Sequence, residues 1–129
     1  MELVASLFSG SNYVGVKKMM DVSALRHAAI ASNIANVSTP GYKRMQVSTD
    51  FEEELRTRIE ARASSEIAAI DPRTEVDDLS PSTRADGNNV QIDQEMLDLS
   101  KNNLNFSTLT DFASGSLKQL RVAITGRSM

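Results

Sequence analysis

The chain has 129 residues and 14.1 kDa, a size that suits one structural unit and leaves little room for two. Its 17 acidic and 14 basic side chains leave a net charge of -3, too small to mark nucleic acid or an anionic membrane as the general partner. The absence of cysteine excludes disulfides, thiolate zinc sites and cysteine nucleophiles together.

Charge is distributed unevenly. Residues 1–44 carry five basic and two acidic groups, residues 45–85 five and ten, and residues 86–129 four and five. The chain accordingly divides into an N-terminal segment (1–44), an acidic connector (45–91) and a C-terminal segment (92–129), which together make one unit. The N-terminal "MELVASLFSGSNY" has an acid at Glu2, no basic leader and an apolar run of about six residues, short of the 7–15 of a cleaved signal peptide. No stretch approaches the ~20 apolar residues of a membrane span.

A first helix is expected from about Val14 to Asn36, with Val16, Met19, Met20, Ile30 and Ile34 on one stripe and Val22, Leu25 and Ala29 on another. Pro40 has no amide hydrogen and drives Thr39 out of helical geometry, so the helix must stop before it. Pro40 and Gly41 fit the two central positions of a type II turn. The side-chain amides of Asn33 and Asn36, three residues apart, are suited either to the unpaired carbonyls of the last turn or to a second backbone.

In the connector, "DFEEELRTRIEARA" predicts a short amphipathic helix through Phe51, Leu55 and Ile59. The following "DPRTEVDDLSPSTRADGNN" reads as a turn-rich segment that is flexible or ordered by a partner. From Asp93 to Thr125 a single long helix is expected, roughly 48 Å at about 1.5 Å per residue. Its apolar seam follows a 4-3 spacing: Ile92, Met96, Leu99, Asn103, Phe106, Thr110, Ala113, Leu117, Leu120 and Ile124. Asp93 suits the N-cap and Gly126 the C-terminal stop, with acids near the first turn and Lys118, Arg121 and Arg127 near the last. Leu97, Leu104, Leu109, Phe112 and Val122 widen the apolar surface beyond what one partner helix would cover, so part of it should meet other chains. The fold class is therefore mainly α, two long terminal helices packed as a coiled coil and joined by a polar, largely irregular middle segment.

No constellation supports catalysis, and no cofactor is called for. His27 is the only histidine and falls on the Val16–Ile34 stripe, a polar residue at a packing surface rather than a zinc ligand. Ser32, Ser38 and Thr39 lack an orienting acid or a nucleophile elbow. Glu52, Glu53 and Glu54 are consecutive and point apart on a helix. "SGSNYVGVKK" lacks the spacing of a phosphate loop.

"ALRHAAIASNIANVSTPGYKR" resembles the N-terminal signature of the bacterial flagellar rod, hook and hook-associated axial proteins, and "DGNNVQIDQEMLDLSKNNLNFSTLTDFASGSLKQLRVAI" resembles their C-terminal helix. The likeness covers roughly residues 20–46 and 86–125. It implies a non-enzymatic structural subunit of the flagellar basal body, a homo-oligomer within the rod. The implied partners are other rod proteins, the rod–MS-ring junction protein and the flagellar export gate, with delivery through the type III export channel without a cleaved signal.

Carried over position by position, Asn33, Asn36, Thr39, Pro40, Gly41 and Tyr42 occupy the family signature. Tyr42 offers a flat apolar body with a hydroxyl for a subunit contact, and Lys43 and Arg44 are expected to pair with acids on a neighbour's middle segment. Phe51 and Leu55 fit the short Phe-x-x-x-hydrophobic element read by the export gate. The alternative from another class is a soluble helical adaptor, such as a secretion-chaperone-like dimer burying the same stripes.

Overall fold

The computed structural model describes residues 11–82 and 84–127. Two long helices frame it: α1, Ser11–Ala35, and α4, Ile92–Thr125. Between them lie the strand β1 (Met45–Val47), the helix α2 (Thr49–Glu60), the short helix α3 (Ser64–Ala69) and the strand β2 (Thr74–Val76). The N-terminal "MELVASLFSG" falls outside the described residues.

The architecture is mainly α, as expected, with the two long helices packed together. The first begins three residues earlier than its spacing suggested and ends at Ala35. The helix through Phe51 and Leu55 is present, and both side chains are buried. Its C-terminus closes in a Schellman arrangement: the Ala63 N–H donates to the Arg58 carbonyl and the Arg62 N–H to that of Ile59. The left-handed position that usually takes glycine is held by Arg62, at φ 54°.

The middle segment holds more order than its composition suggested. β1 and β2 pair antiparallel, with Met45 opposite Val76, Gln46 opposite Glu75 and Val47 opposite Thr74. The ribbon is extended by Ser48 N–H to Arg73 O at 2.9 Å and Asp77 N–H to Arg44 O at 2.8 Å. Three-residue strands carry too little alternation to be visible in sequence. Past β2, Asp77 Oδ1 accepts from the backbone of both Leu79 and Ser80, an Asx turn that starts the irregular stretch leading to α4.

The N-terminal end of α4 requires a correction: its N-cap is Gln91, not Asp93, which lies in the first turn. At the other end Lys118 and Arg121 precede the last turn and Arg127 follows Gly126, so the cations flank that turn without lying in it. Gly126 does stop the helix, at φ 64° with its N–H on the Val122 carbonyl.

The apolar core lies to one side of the helix pair rather than along it. Val22, Val47, Phe51, Leu55 and Ile67 form the buried cluster, with Val14, Leu25, Ile59 and Ile70 packed against it. α1 therefore turns its second stripe toward α2, α3 and β1. Burying a side chain such as Phe51, which has no exposure at all, contributes about 1.5–3 kcal/mol. Gly15 permits the close approach of α1 and α2, since a Cβ there would stand 3.3 Å from the Ile59 side chain.

Where α1 meets α4 the buried side chains are polar. Ser23 Oγ donates to Asn102 Oδ1 and Asn102 Nδ2 to the Ser23 carbonyl, both at 2.9 Å. Asn33 Nδ2 donates to Glu95 Oε2 at 3.0 Å. These pairs run in opposite directions along the two helices, so the helices are antiparallel. Glu95 and Asn102 are the buried residues of α4, whereas Ile92, Met96, Phe106, Leu117 and Ile124 of the expected seam are exposed, Ile124 to 65%. Leu99, Thr110, Ala113 and Leu120 are half-buried and Asn103 is exposed. The 4-3 pattern thus marks a face turned aside from the contact between α1 and α4, and half of its residues are exposed apolar side chains.

Candidate assembly elbow and helix surface

α1 ends in a corner assembled from the signature residues. Thr39, Pro40, Gly41 and Tyr42 form the expected turn: Gly41 has φ 73°, and the Tyr42 N–H donates to the Thr39 carbonyl at 3.3 Å. The two asparagines divide the alternatives open to them. Asn36 serves its own helix end, Nδ2 donating to the Ser32 carbonyl at 2.8 Å while its Oδ1 accepts from Thr39 Oγ1 at 3.1 Å.

Asn33, wholly buried, reaches a second backbone. Its amide exchanges two hydrogen bonds with Met45, Nδ2 to the carbonyl at 2.9 Å and Oδ1 from the N–H at 2.8 Å, as a strand neighbour would. The Tyr42 hydroxyl donates to Asn33 Oδ1 at 3.1 Å and lies at the same distance from Ser32 Oγ. Tyr42 therefore places its hydroxyl inside the corner.

Arg44 is the electrostatic centre. Its side chain, 16% exposed, bonds Asp77 at 2.8 Å, Asp98 at 3.1 Å and Glu95, whose side chain is wholly buried. Burial by itself would lower the Arg44 pKa. Hydrogen bonds and charge from Glu95 and Asp77 outweigh that and leave it raised. The acids expected from a neighbour's middle segment are thus supplied by the chain itself, and Lys43 likewise donates internally, to the Gly87 carbonyl at 2.7 Å. Beside this cluster Arg26 bonds Glu52; burial lowers the Arg26 pKa, with the Asp98 charge acting the other way.

Sequence reasoning missed the other half of the corner. Asn88, wholly buried, donates through Nδ2 to the carbonyls of Asn36 and Thr39, each at 2.9 Å, and to that of Val37 at 3.2 Å. Asn89 accepts from the Arg44 N–H at 2.6 Å and donates to the Asp77 and Ser80 carbonyls. The Gly41 N–H donates to the Asp86 carbonyl at 2.9 Å. "DGNN" signalled a turn; that its amides would satisfy a helix end some fifty residues away in sequence required the tertiary fold. No buried side-chain polar atom among the described residues lacks a partner.

Within the corner Thr39, Pro40 and Gly41 face solvent, while His27, exposed on α1, stands apart from it. Phe51 and Leu55 lie in the core. Exposed apolar side chains run the length of α4, with Leu97 (49%), Leu104 (69%) and Phe112 (54%) added to the seam residues. An internally locked corner on a long helix whose apolar face is exposed among the described residues is the arrangement of a structural, interaction-bearing chain rather than a catalytic one. The family described as Flagella basal body rod protein matches residues 23–43, the second half of α1 and the turn that follows it.

A relative from Borrelia hermsii, the flagellar basal body rod protein FlgB, is 36% identical over 125 residues, covering 83% of this chain and 90% of that protein. FlgB of Aquifex aeolicus (strain VF5) is 32% identical over 95% of this chain and 98% of its own length. FlgB of Bacillus subtilis (strain 168) is 29% identical over 94% and 98%. The chain belongs to the FlgB family of flagellar basal body rod proteins, and is a structural component of the flagellum.

Proposed function

We propose that this chain polymerises within the proximal rod through the outward face of α4, contributing to the shaft that carries torque from the motor to the hook and filament. One observation carries the reading: Ile92, Met96, Phe106, Leu117 and Ile124 are exposed in the single chain although they form its most regular apolar pattern. Large apolar side chains exposed along the length of one helix mark an interaction surface. The elbow's part is to hold the two long helices in fixed register, so that load entering one is passed to the other through buried hydrogen bonds and packed side chains.

Among its partners would be other rod proteins and the rod–MS-ring junction protein, with delivery through the flagellar type III channel into the periplasmic part of the basal body. Because folding buries Phe51 and Leu55, reading of these residues by the export gate would precede folding. Among the described residues no helix is long and apolar enough to cross a membrane.

The test is a Phe106→Asp chain expressed in a host strain deleted for this gene. Phe106 is 40% exposed, so the isolated chain should lose about 1–2 kcal/mol and remain folded, as urea unfolding would check. Motility and recovery in purified basal bodies should be lost. A motile strain with the variant in its basal bodies would show that this face does not mediate assembly.

A further inference from the structure

The turn that follows β2 carries the most exposed large apolar side chain of the described residues, Leu79, at 93%. A lone surface leucine is ordinary, but this one is held outward by its own backbone. Asp77 Oδ1 accepts from the N–H groups of Leu79 and Ser80, each at 3.1 Å. Asn89 Nδ2 donates to the carbonyls of Asp77 and Ser80, at 3.0 and 3.2 Å. The chain is thus fixed on both sides of Leu79, which cannot turn inward without breaking these bonds. A side chain presented in this way loses little conformational freedom on meeting a partner.

The support is shared with the signature corner. Asn88 donates to the Thr39 carbonyl and Asn89 to that of Asp77, so two consecutive asparagines fasten the Thr39–Gly41 turn and the Leu79 turn to one frame. Arg44 then ties Asp77 to Glu95 and Asp98 in the first two turns of α4, which places Leu79 and the start of α4 at the same end of the molecule. Val76 and Ile92, 44% and 42% exposed, add apolar area at that end.

Charge gives the partner's chemistry. Asp78, beside Leu79, and Asp93, in the first turn of α4, are exposed, and neither makes an ion pair with the described residues. No lysine or arginine lies outside those residues. The cations of the corner are committed internally: Lys43 to the Gly87 carbonyl, Arg44 to its three acids, and Arg84 to Asp86 and the Val37 carbonyl. An apolar knob beside uncompensated negative charge fits an apolar groove edged by lysine or arginine. A second copy standing at the same level would present the same two acids, and like charges would meet.

We propose that Leu79, with Val76, Ile92 and the aspartates at 78 and 93 around it, is a docking knob that seats in an apolar, basic-edged groove on a different subunit of the rod. The inference rests on the reading of the chain as an assembled rod subunit and adds a second docking surface, at the corner, to the face of α4.

A chain carrying Leu79→benzoylphenylalanine, a photo-crosslinking residue, tests the contact in purified basal bodies. Illumination should link it to a peptide of a different rod subunit in which lysine or arginine flanks apolar residues. Separately, Leu79→Asp and Asp78→Lys should each reduce incorporation into basal bodies at least ~10-fold, the scale of one hot-spot contact. Leu79→Met, which keeps the volume, should stay within about two-fold of the unsubstituted chain. Both positions are exposed, so an unchanged urea midpoint for each purified variant would establish that the fold is kept. Absence of the unsubstituted chain from basal bodies would overturn the rod reading, and this inference with it. Normal incorporation of Leu79→Asp or of Asp78→Lys, or a crosslink to a second copy of this chain, to lipid or to nothing, would overturn this inference alone.

Discussion

Asn33 and Asn36 share a residue type, a helix turn and a sequence motif, yet burial separates their energetics. Asn33 is wholly enclosed, and its loss would strand the Met45 backbone and remove a partner of Glu95. Asn33→Ala should therefore cost about 2–4 kcal/mol in urea unfolding, whereas Asn36→Ala, at a partly open helix end, should cost about 0.5–1 kcal/mol. Arg44 poses the stronger case, because a wholly buried Glu95 depends on it. Arg44→Met should destabilise by about 3–5 kcal/mol through the uncompensated charge left behind. Arg44→Lys should recover only part of that, since one ammonium cannot reproduce a fork that reaches Asp77, Glu95 and Asp98 together. The motif announced these residues from the sequence, but whether each served its own chain or a neighbour was hidden, because a side-chain amide or guanidinium is equally able to do either.

Elements join through small polar devices that periodicity does not register. Glu75 of β2 accepts from the first N–H of α2, at Thr49, and from Gln46 across the ribbon. The Thr49 backbone bond is the largest cause; burial opposes it, and the side-chain bonds from Ser48, Gln46 and Thr49 add to it, so that the Glu75 pKa lies below its ordinary 4.5. Since the folded value is depressed, the stabilisation is complete above the unfolded pKa and is lost as pH falls through the folded one. Glu75→Gln should accordingly flatten that part of the acid limb of a urea-midpoint profile below pH about 4.5 and leave the limb above pH 6 parallel to wild type. At the far end of α2, Arg62 holds a left-handed backbone that a side chain opposes. Arg62→Gly should raise stability by about 0.5–1 kcal/mol in the same assay, the relief of strain exceeding the added freedom of the unfolded chain.

Among the described residues α1 is packed along its length, from Val14 to Asn33, whereas the packing of α4 is concentrated toward its N-terminal half. α4 is anchored through Glu95 and Asn102, and its side chains beyond Leu117 are mostly exposed. Hydrogen exchange on the isolated chain should find the amides around Glu95–Asn102 the slowest in α4 and those beyond Leu117 the fastest, with the latter slowed once the chain is in basal bodies. Uniform protection along α4 in the isolated chain would mean that its tail is already supported without assembly.

Read alone, the sequence determined the two long helices, the Pro-Gly exit from the first, the helix through Phe51 and Leu55, and the family. Each depends on local periodicity, on the backbone limits of particular residues, or on a dense motif. Tertiary structure decided which apolar stripe became core and which stayed outside. Val22 and Leu25 met Phe51, Leu55 and Ile67, while the more regular seam of α4 was left exposed and Glu95 and Asn102 took the helix contact. Spacing shows that a face is apolar, but its partner depends on which other surfaces the fold brings within reach, and here the polar locks at Ser23, Asn33 and Arg44 set that reach.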